Sequence, residues 1–196
     1  MQKTLEKMPT TKTLATKALR ALALSAILVM GLVMGMGLIG CAANNEQVIR
    51  DGLTESLDEF KDPTSEPWQE MVDVQGGQLE SVGIDPSELV STWIDGFDYS
   101  IGAVTVTGDT ATVELSITCK QLSPAITAAT DALMADESIA ELSSDEVTQK
   151  TGEAIMDALR AAQPETTAVT IECEKVGNLW TEGASAENAY MSAIVG

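Results

Sequence analysis

The amino-acid sequence predicts an α+β domain in which N-terminal helices pack on a curved antiparallel sheet of about four strands. Apolar residues recur at steps of three and four over residues 46–97 and then alternate at steps of two over residues 97–119, so helices precede strands. A second alternating run returns near residue 169 after an interval of helical periodicity. The sequence therefore predicts one sheet that is interrupted by a helical pair, residues 121–163.

Three helices are predicted before the sheet. The first covers residues 46–61, and its apolar face comprises Val48, Ile49, Leu53, Leu57 and Phe60. The second is shorter, residues 66–74, because Gln75-Gly76-Gly77 is expected to end it. The third begins at Asp85-Pro86-Ser87-Glu88, which combines an N-cap acid, a proline at the first position and a capping-box glutamate. Its buried stripe is Leu89, Val90, Trp93, Ile94 and Phe97.

The pattern changes to that of a β-hairpin after Phe97. Apolar residues alternate up to Ile101 and continue on the opposite parity from Val104, which predicts a β-bulge near Ala103. Gly108-Asp109 supplies a turn to a second strand, whose inward residues are Ala111, Val113, Leu115, Ile117 and Cys119. We therefore expect a hairpin with one face on the core and one in water.

The helical pair and the last elements follow. The first helix of the pair is predicted to open at Ser123-Pro124, and the second at a capping box formed by Ser143 and Glu146. The apolar face of the first helix is predicted to be Ile126, Ala129, Leu133 and Met134. Two strands and a closing helix are predicted over residues 169–175, 179–181 and 185–194.

The N-terminal segment has the order of an export signal. Five lysines and arginines against the single acid Glu6 precede an apolar run over residues 21–39. The run ends in Leu38-Ile39-Gly40-Cys41, which closely resembles the lipobox of bacterial lipoproteins. That resemblance implies cleavage before Cys41, acylation of its thiol by a fatty acid such as palmitate, and attachment to the extracytoplasmic face of the cell membrane. The alternative is an uncleaved membrane helix, because about 19 apolar residues suffice to span a bilayer.

These readings divide the chain into a signal peptide, residues 1–40, a lipidated tether, residues 41–45, and a single domain, residues 46–196. From residue 41 onwards the chain has 6 basic and 29 acidic residues, a formal charge of −23. Nucleic acid is excluded as a partner, because its phosphates require a basic face. The same charge argues against a second, electrostatic hold on anionic lipid.

The composition also argues against a catalytic function. The chain has no histidine, so a Ser-His-Asp or Cys-His arrangement cannot form within it. It also lacks a Cys-x-x-Cys motif, a phosphate-binding glycine loop and an aspartate-rich calcium loop. We therefore predict no catalytic residue, no metal site and no cofactor. A hydrolase that uses only carboxylates stays open as an alternative.

Several motifs together are similar to extracytoplasmic members of the nuclear transport factor 2-like superfamily. They are Phe97-Asp98-Tyr99, the hairpin around Gly108-Asp109, and Gly177-Asn178-Leu179-Trp180 before a terminal helix. More narrowly, they resemble uncharacterised lipoproteins of Gram-positive bacteria. The resemblance implies a cone of helices and bent sheet around a pocket, which the helical pair could cover or fill. Its lining would come from the inner sheet face, and the candidates, which also fit a plain core, are Tyr99, Ile101, Leu115, Ile117, Ile171 and Trp180.

Cys119 and Cys173 lie on the inward parity of strands that are expected to be neighbours. An even pair of cysteines in an exported domain favours a disulfide. A register with Gln121 near Thr167 would instead place Cys119 opposite Val169, too far from Cys173 to bond. Both states therefore stay open.

The sequence as a whole predicts a lipid-anchored, extracytoplasmic domain that binds a ligand or a partner without catalysis. The first alternative is a structural or protein-interaction lipoprotein of the cell envelope. The sequence names neither the ligand nor the partner.

Overall fold

The computed structural model describes residues 38–39 and 45–196. Cys41 and the predicted signal peptide other than residues 38–39 lie outside the described residues. The described helices are α1 Asn45–Lys61, α2 Glu66–Glu80, α3 Pro86–Trp93, α4 Leu122–Ala135, α5 Ser144–Ala161 and α6 Ala186–Ile194, with a 3-10 helix at Glu137–Glu141. The strands are β1 Leu38–Ile39, β2 Asp98–Thr107, β3 Thr110–Cys119, β4 Glu165–Val176 and β5 Leu179–Glu182.

One antiparallel sheet connects the strands in the order β1-β5-β4-β3-β2. The α+β prediction is confirmed: β2 to β5 are the four predicted strands, and β1 adds two residues beside β5. The predicted bulge is present as a register shift between Ile101 and Val104. Both hairpins turn through glycines, Gly108 and Gly177, whose φ angles of 64° and 66° suit a residue without a Cβ.

The core lies between the inner face of the sheet and the helices. The inward residues of β3 are at most 3% exposed: Ala111, Val113, Leu115, Ile117 and Cys119. Helix α1 packs on β2, and α6 packs on β3 and β4. An aromatic cluster joins α1, α2 and α3, since the ring centroids of Phe60 and Trp68 lie 4.7 Å apart and those of Trp68 and Trp93 lie 5.5 Å apart. Helices and sheet thus share one continuous core.

Helix α2 is longer than predicted, because it continues through Gly76 and Gly77 to Glu80. Two glycines cost a helix about 1 kcal/mol each relative to alanine. Two tertiary contacts offset that cost. The buried Leu79 contributes about 1.5–3 kcal/mol, and the buried Gly76 lets the ring of Pro86 approach closely. The prediction that the glycines end the helix was wrong.

Two smaller predictions also differ from the structure. Met134 was expected on the apolar face of α4 but is 50% exposed, because it lies about 100° around the helix from Leu133.

Asp85 caps α3 as predicted and accepts from the N–H of Glu88 at 2.8 Å. The Glu88 carboxylate, however, pairs with Arg160 instead of completing a capping box. The capping box at the start of α5 is confirmed.

Candidate binding surface

The residues predicted to line a pocket belong mostly to the core. Leu115, Ile117, Ile171 and Trp180 are each at most 1% exposed, while Tyr99 and Ile101 are partly buried against the same core. Helix α6 reaches this inner face, since the Cys119 thiol lies 3.4 Å from the carbonyl oxygen of Ala193. The inner face of the sheet is therefore covered by helices, and these six side chains fit the plain core that the sequence left open beside a pocket lining.

The structure separates the two cysteines. Ala111 lies opposite Cys173, and Cys119 lies opposite Glu165, so eight residues of β4, about 26 Å of strand, separate the two positions. Both thiols are free and buried. Burial raises the pKa of each to about 12, which leaves them in the unreactive thiol form. The disulfide left open by the sequence is not formed.

The opposite, outward face of the sheet carries a depression of about 360 Å³. It crosses β2, β3 and β4 at the bulge, where the side chains facing outward are small. Its outward-facing lining residues are Ser100, Gly102, Glu114, Ser116, Ala168 and Thr170. They alternate along each strand with the core residues. The same alternation therefore places one set of side chains in the core and the other set on the outward face. We call the outward side of β2, β3 and β4 the outer sheet face.

Arg50 of α1 fixes the bulge at one side of this depression. Its guanidinium donates to the carbonyl oxygens of Ile101 and Gly102, at 2.8 and 2.9 Å. These bonds give partners to backbone groups on the outermost strand of the sheet. Gly102 keeps the depression open, since a Cβ there would lie 3.2 Å from the Cβ of Glu114. The sequence predicted the bulge but not Arg50, which lies 51 residues before Ile101.

The outer sheet face is polar and negative. Hydroxyl groups dominate it, and those of Thr118 and Thr166 lie 2.8 Å apart. Its carboxylates are Glu114, Glu172, Glu174 and, at the start of β2, Asp98, and none of the six described lysines and arginines lies among its outward residues. Five of those six cations are ion-paired. Lys61 pairs with Asp98 at the edge of this face, and the other four pair with residues outside it: Arg50 with Glu46, Lys120 with Asp95, Lys150 with Asp136, and Arg160 with Glu88 and Asp157. The face therefore suits hydroxyl-bearing or positively charged groups and repels anions.

A second depression, of about 340 Å³, lies between α4, α5 and the start of β4. Its walls are mostly alanines, among them Ala125, Ala128, Ala158 and Ala161, with Gln121 and Glu165 at its polar end. It offers few groups that could orient a ligand, so the outer sheet face is the better candidate.

Tyr99 and Asp58 converge where β2 meets α1. The Tyr99 hydroxyl donates to Asp58 Oδ1 at 2.7 Å. Burial, together with the neighbouring Asp58, raises the pKa of Tyr99 to about 12, so the phenol keeps its proton at neutral pH. The pair joins helix to strand.

Glu182 and Tyr190 form a partly buried polar pair that no pattern in the sequence singled out. Glu182 Oε1 accepts from the Tyr190 hydroxyl at 2.7 Å, whereas its Oε2 is shielded from solvent and has no hydrogen-bond partner among the described residues. Burial raises the pKa of Glu182, and the bond from Tyr190 offsets part of that rise. The alternation in β5 could have predicted that Glu182 faces the core, since it lies two positions after the inward Trp180.

Glu182→Gln is expected to become more stable relative to the wild type as the pH rises. The folded state favours the neutral acid, so the stability contributed by Glu182 is fully present below its unfolded pKa of about 4.3. It is lost as the pH rises from there through the higher folded-state pKa. In that window the difference in free energy of unfolding between variant and wild type should grow by up to about 1.4 kcal/mol per pH unit.

Urea unfolding at about pH 4.5 and pH 7 measures this difference. Glu187→Gln is the matched control, because it removes an exposed acid from α6 without touching the buried carboxyl. A stability difference between Glu182→Gln and wild type that stays the same at both pH values contradicts the assignment.

Within the described ranges, no group of three or more His, Cys, Asp or Glu side chains is placed to hold a metal ion. None of the described helices is both long and apolar enough to cross a bilayer. Comparison with protein-family models, with curated proteins and with solved structures finds no match to this chain.

Proposed function

We propose that this protein is a lipoprotein, anchored through Cys41 to the extracytoplasmic face of the cell membrane, whose domain binds a ligand or partner without catalysis. The anchoring rests on the basic segment, the apolar run and Leu38-Ile39-Gly40-Cys41. The likeness to the nuclear transport factor 2-like superfamily is part of the same proposal. It is supported by the element order, in which helices precede a hairpin and a helix follows the last strand.

The outer sheet face is the observation that carries the binding function. Strands β2, β3 and β4 are 10, 10 and 12 residues long, and the helices with contacts to them lie on the inner face. The outward residues are mostly exposed hydroxyls and carboxylates around the depression at Gly102. An open surface of this kind admits a ligand without any rearrangement of the core.

The charge of this face selects the class of occupant. With Glu114 in the depression and Glu172 and Glu174 beside it, a cationic group or a polyhydroxylated molecule is favoured over an anion. A positively charged protein surface satisfies the same requirement. The structural or protein-interaction alternative thus uses the same face.

Ser116→Arg tests the binding function, because it places a long cation inside the depression. Ser91→Arg is the control, since it adds the same charge at an exposed position of α3. The domain and both variants are purified from the native host and weighed by native mass spectrometry. We expect a non-covalently bound mass on the wild type and on Ser91→Arg that is lost from Ser116→Arg. A wild-type domain without bound mass, or equal retention by all three proteins, contradicts the proposal.

A further inference from the structure

The start of α1 lies beside the end of the sheet where the hairpins turn. Trp180 Nε1 donates to Asn45 Oδ1 at 3.3 Å, and Asn45 is the first residue of α1. Trp180 lies opposite Lys175 at the end of β4, and the Lys175 N–H donates to the carbonyl oxygen of Asp109 in the other turn. The N-terminus of α1 and both β-turns therefore meet at one end of the domain.

The proposed lipid would hold this end close to the membrane. Cys41 precedes Asn45 by four residues, which span at most about 14 Å when fully extended. So short a tether cannot let the opposite end of the domain, where β3 leads into α4, reach the bilayer instead. Cleavage before Cys41 would also remove β1, whose residues pair with Trp180 and Leu179, and would leave β5 as the edge of the sheet.

The turn between β4 and β5 has side chains suited to a lipid interface. Val176 is 63% exposed, the most exposed of the large apolar side chains in the described part of the chain. Lys175 makes no ion pair within the described residues, and its Nζ lies 5.7 Å from the centre of the Trp180 ring. An apolar side chain next to a lysine that can extend its ammonium group towards phosphates matches the layering of a bilayer surface.

Neighbouring carboxylates oppose a purely electrostatic attraction. Glu174 and Asp109 flank Lys175, and Glu46 lies one residue after Asn45. Because this charge repels anionic lipid, we expect the contact to depend on the tether, which holds the turn at high effective concentration next to the bilayer.

We infer that, in the anchored protein, the β4–β5 turn at residues 175–178 contacts the outer surface of the lipid bilayer. This inference rests on the proposed acylation of Cys41. The turn then fixes which end of the domain faces the membrane, so that the domain does not tumble freely on its tether.

A depth-quenching experiment on the acylated protein tests the contact. Val176→Cys is labelled with an environment-sensitive fluorophore in vesicles of phosphatidylcholine and phosphatidylglycerol that contain spin-labelled lipid. Val74→Cys and Met134→Cys are matched controls, since they replace the other exposed large apolar residues, 57% and 50% exposed. Cys119 and Cys173 do not react, because both are at most 2% exposed.

The expected result is a loss of fluorescence at position 176 and none at positions 74 and 134. Equal signals at all three positions, with acyl chains detected on Cys41 by mass spectrometry, overturn the contact and leave the anchoring intact. Absence of acyl chains from Cys41 overturns the anchoring itself, and the inferred contact with it. Fluorescence quenching thus tests the contact of the turn with the bilayer, and mass spectrometry tests the anchoring.

Discussion

Gly152→Ala is expected to destabilise the domain by about 3 kcal/mol, the upper end of the usual range for overpacking. A Cβ at this position of α5 would lie 2.6 Å from the carbonyl carbon and oxygen of Gly83 and would also meet the carbonyl oxygen of Val82. These are backbone atoms in the loop between α2 and α3, so no side-chain rotation relieves the clash. The helix or the loop would have to move.

Gly77→Ala is the matched control for this substitution. Gly77 also lies inside a helix, but a Cβ there would have no heavy atom within 4 Å. Alanine should therefore stabilise α2 by about 0.5–1 kcal/mol. Urea unfolding of both variants measures the two free energies. A loss below about 1 kcal/mol for Gly152→Ala would show that α5 does not press on this loop.

The close approach at Gly152 illustrates what the sequence alone could not predict. In the sequence, Gly152 and the glycines of α2 look alike, as weak points in a helical pattern. Only the fold distinguishes them. Gly152 permits a backbone contact between α5 and residues 82–83, and Gly76 permits the contact with Pro86. The N-cap at Asp85 and the bulge near Ala103 were predictable because their signals lie within a few neighbouring residues.

The candidate site was less predictable for a related reason. Alternation in β3 identified the inward and outward faces of the strand, but not that the outward face would carry the depression. The register between β3 and β4 is set after a connection of 45 residues, 120–164, and local patterns do not determine it. The observed register keeps Cys119 away from Cys173. The clamp of Arg50 on the bulge likewise joins residues about 50 positions apart.

Cys41→Ala is expected to abolish lipid attachment completely. In the lipoprotein interpretation the thiol of Cys41 is the acyl acceptor and its amino group is the new N-terminus, so alanine removes both the modification and this route of cleavage. Cys173→Ala is the matched control, because it removes a buried thiol that has no part in anchoring. Incorporation of a labelled fatty acid should be lost in the first variant and retained in the second.

The mass of the protein purified from the membranes of its native host tests the anchoring claim most directly. We predict a chain that begins at Cys41 and carries the added mass of acyl groups, with fragmentation that places those groups on that residue. A membrane-bound chain that keeps residues 1–40 and has an unmodified Cys41 thiol would contradict the claim and support the uncleaved membrane helix.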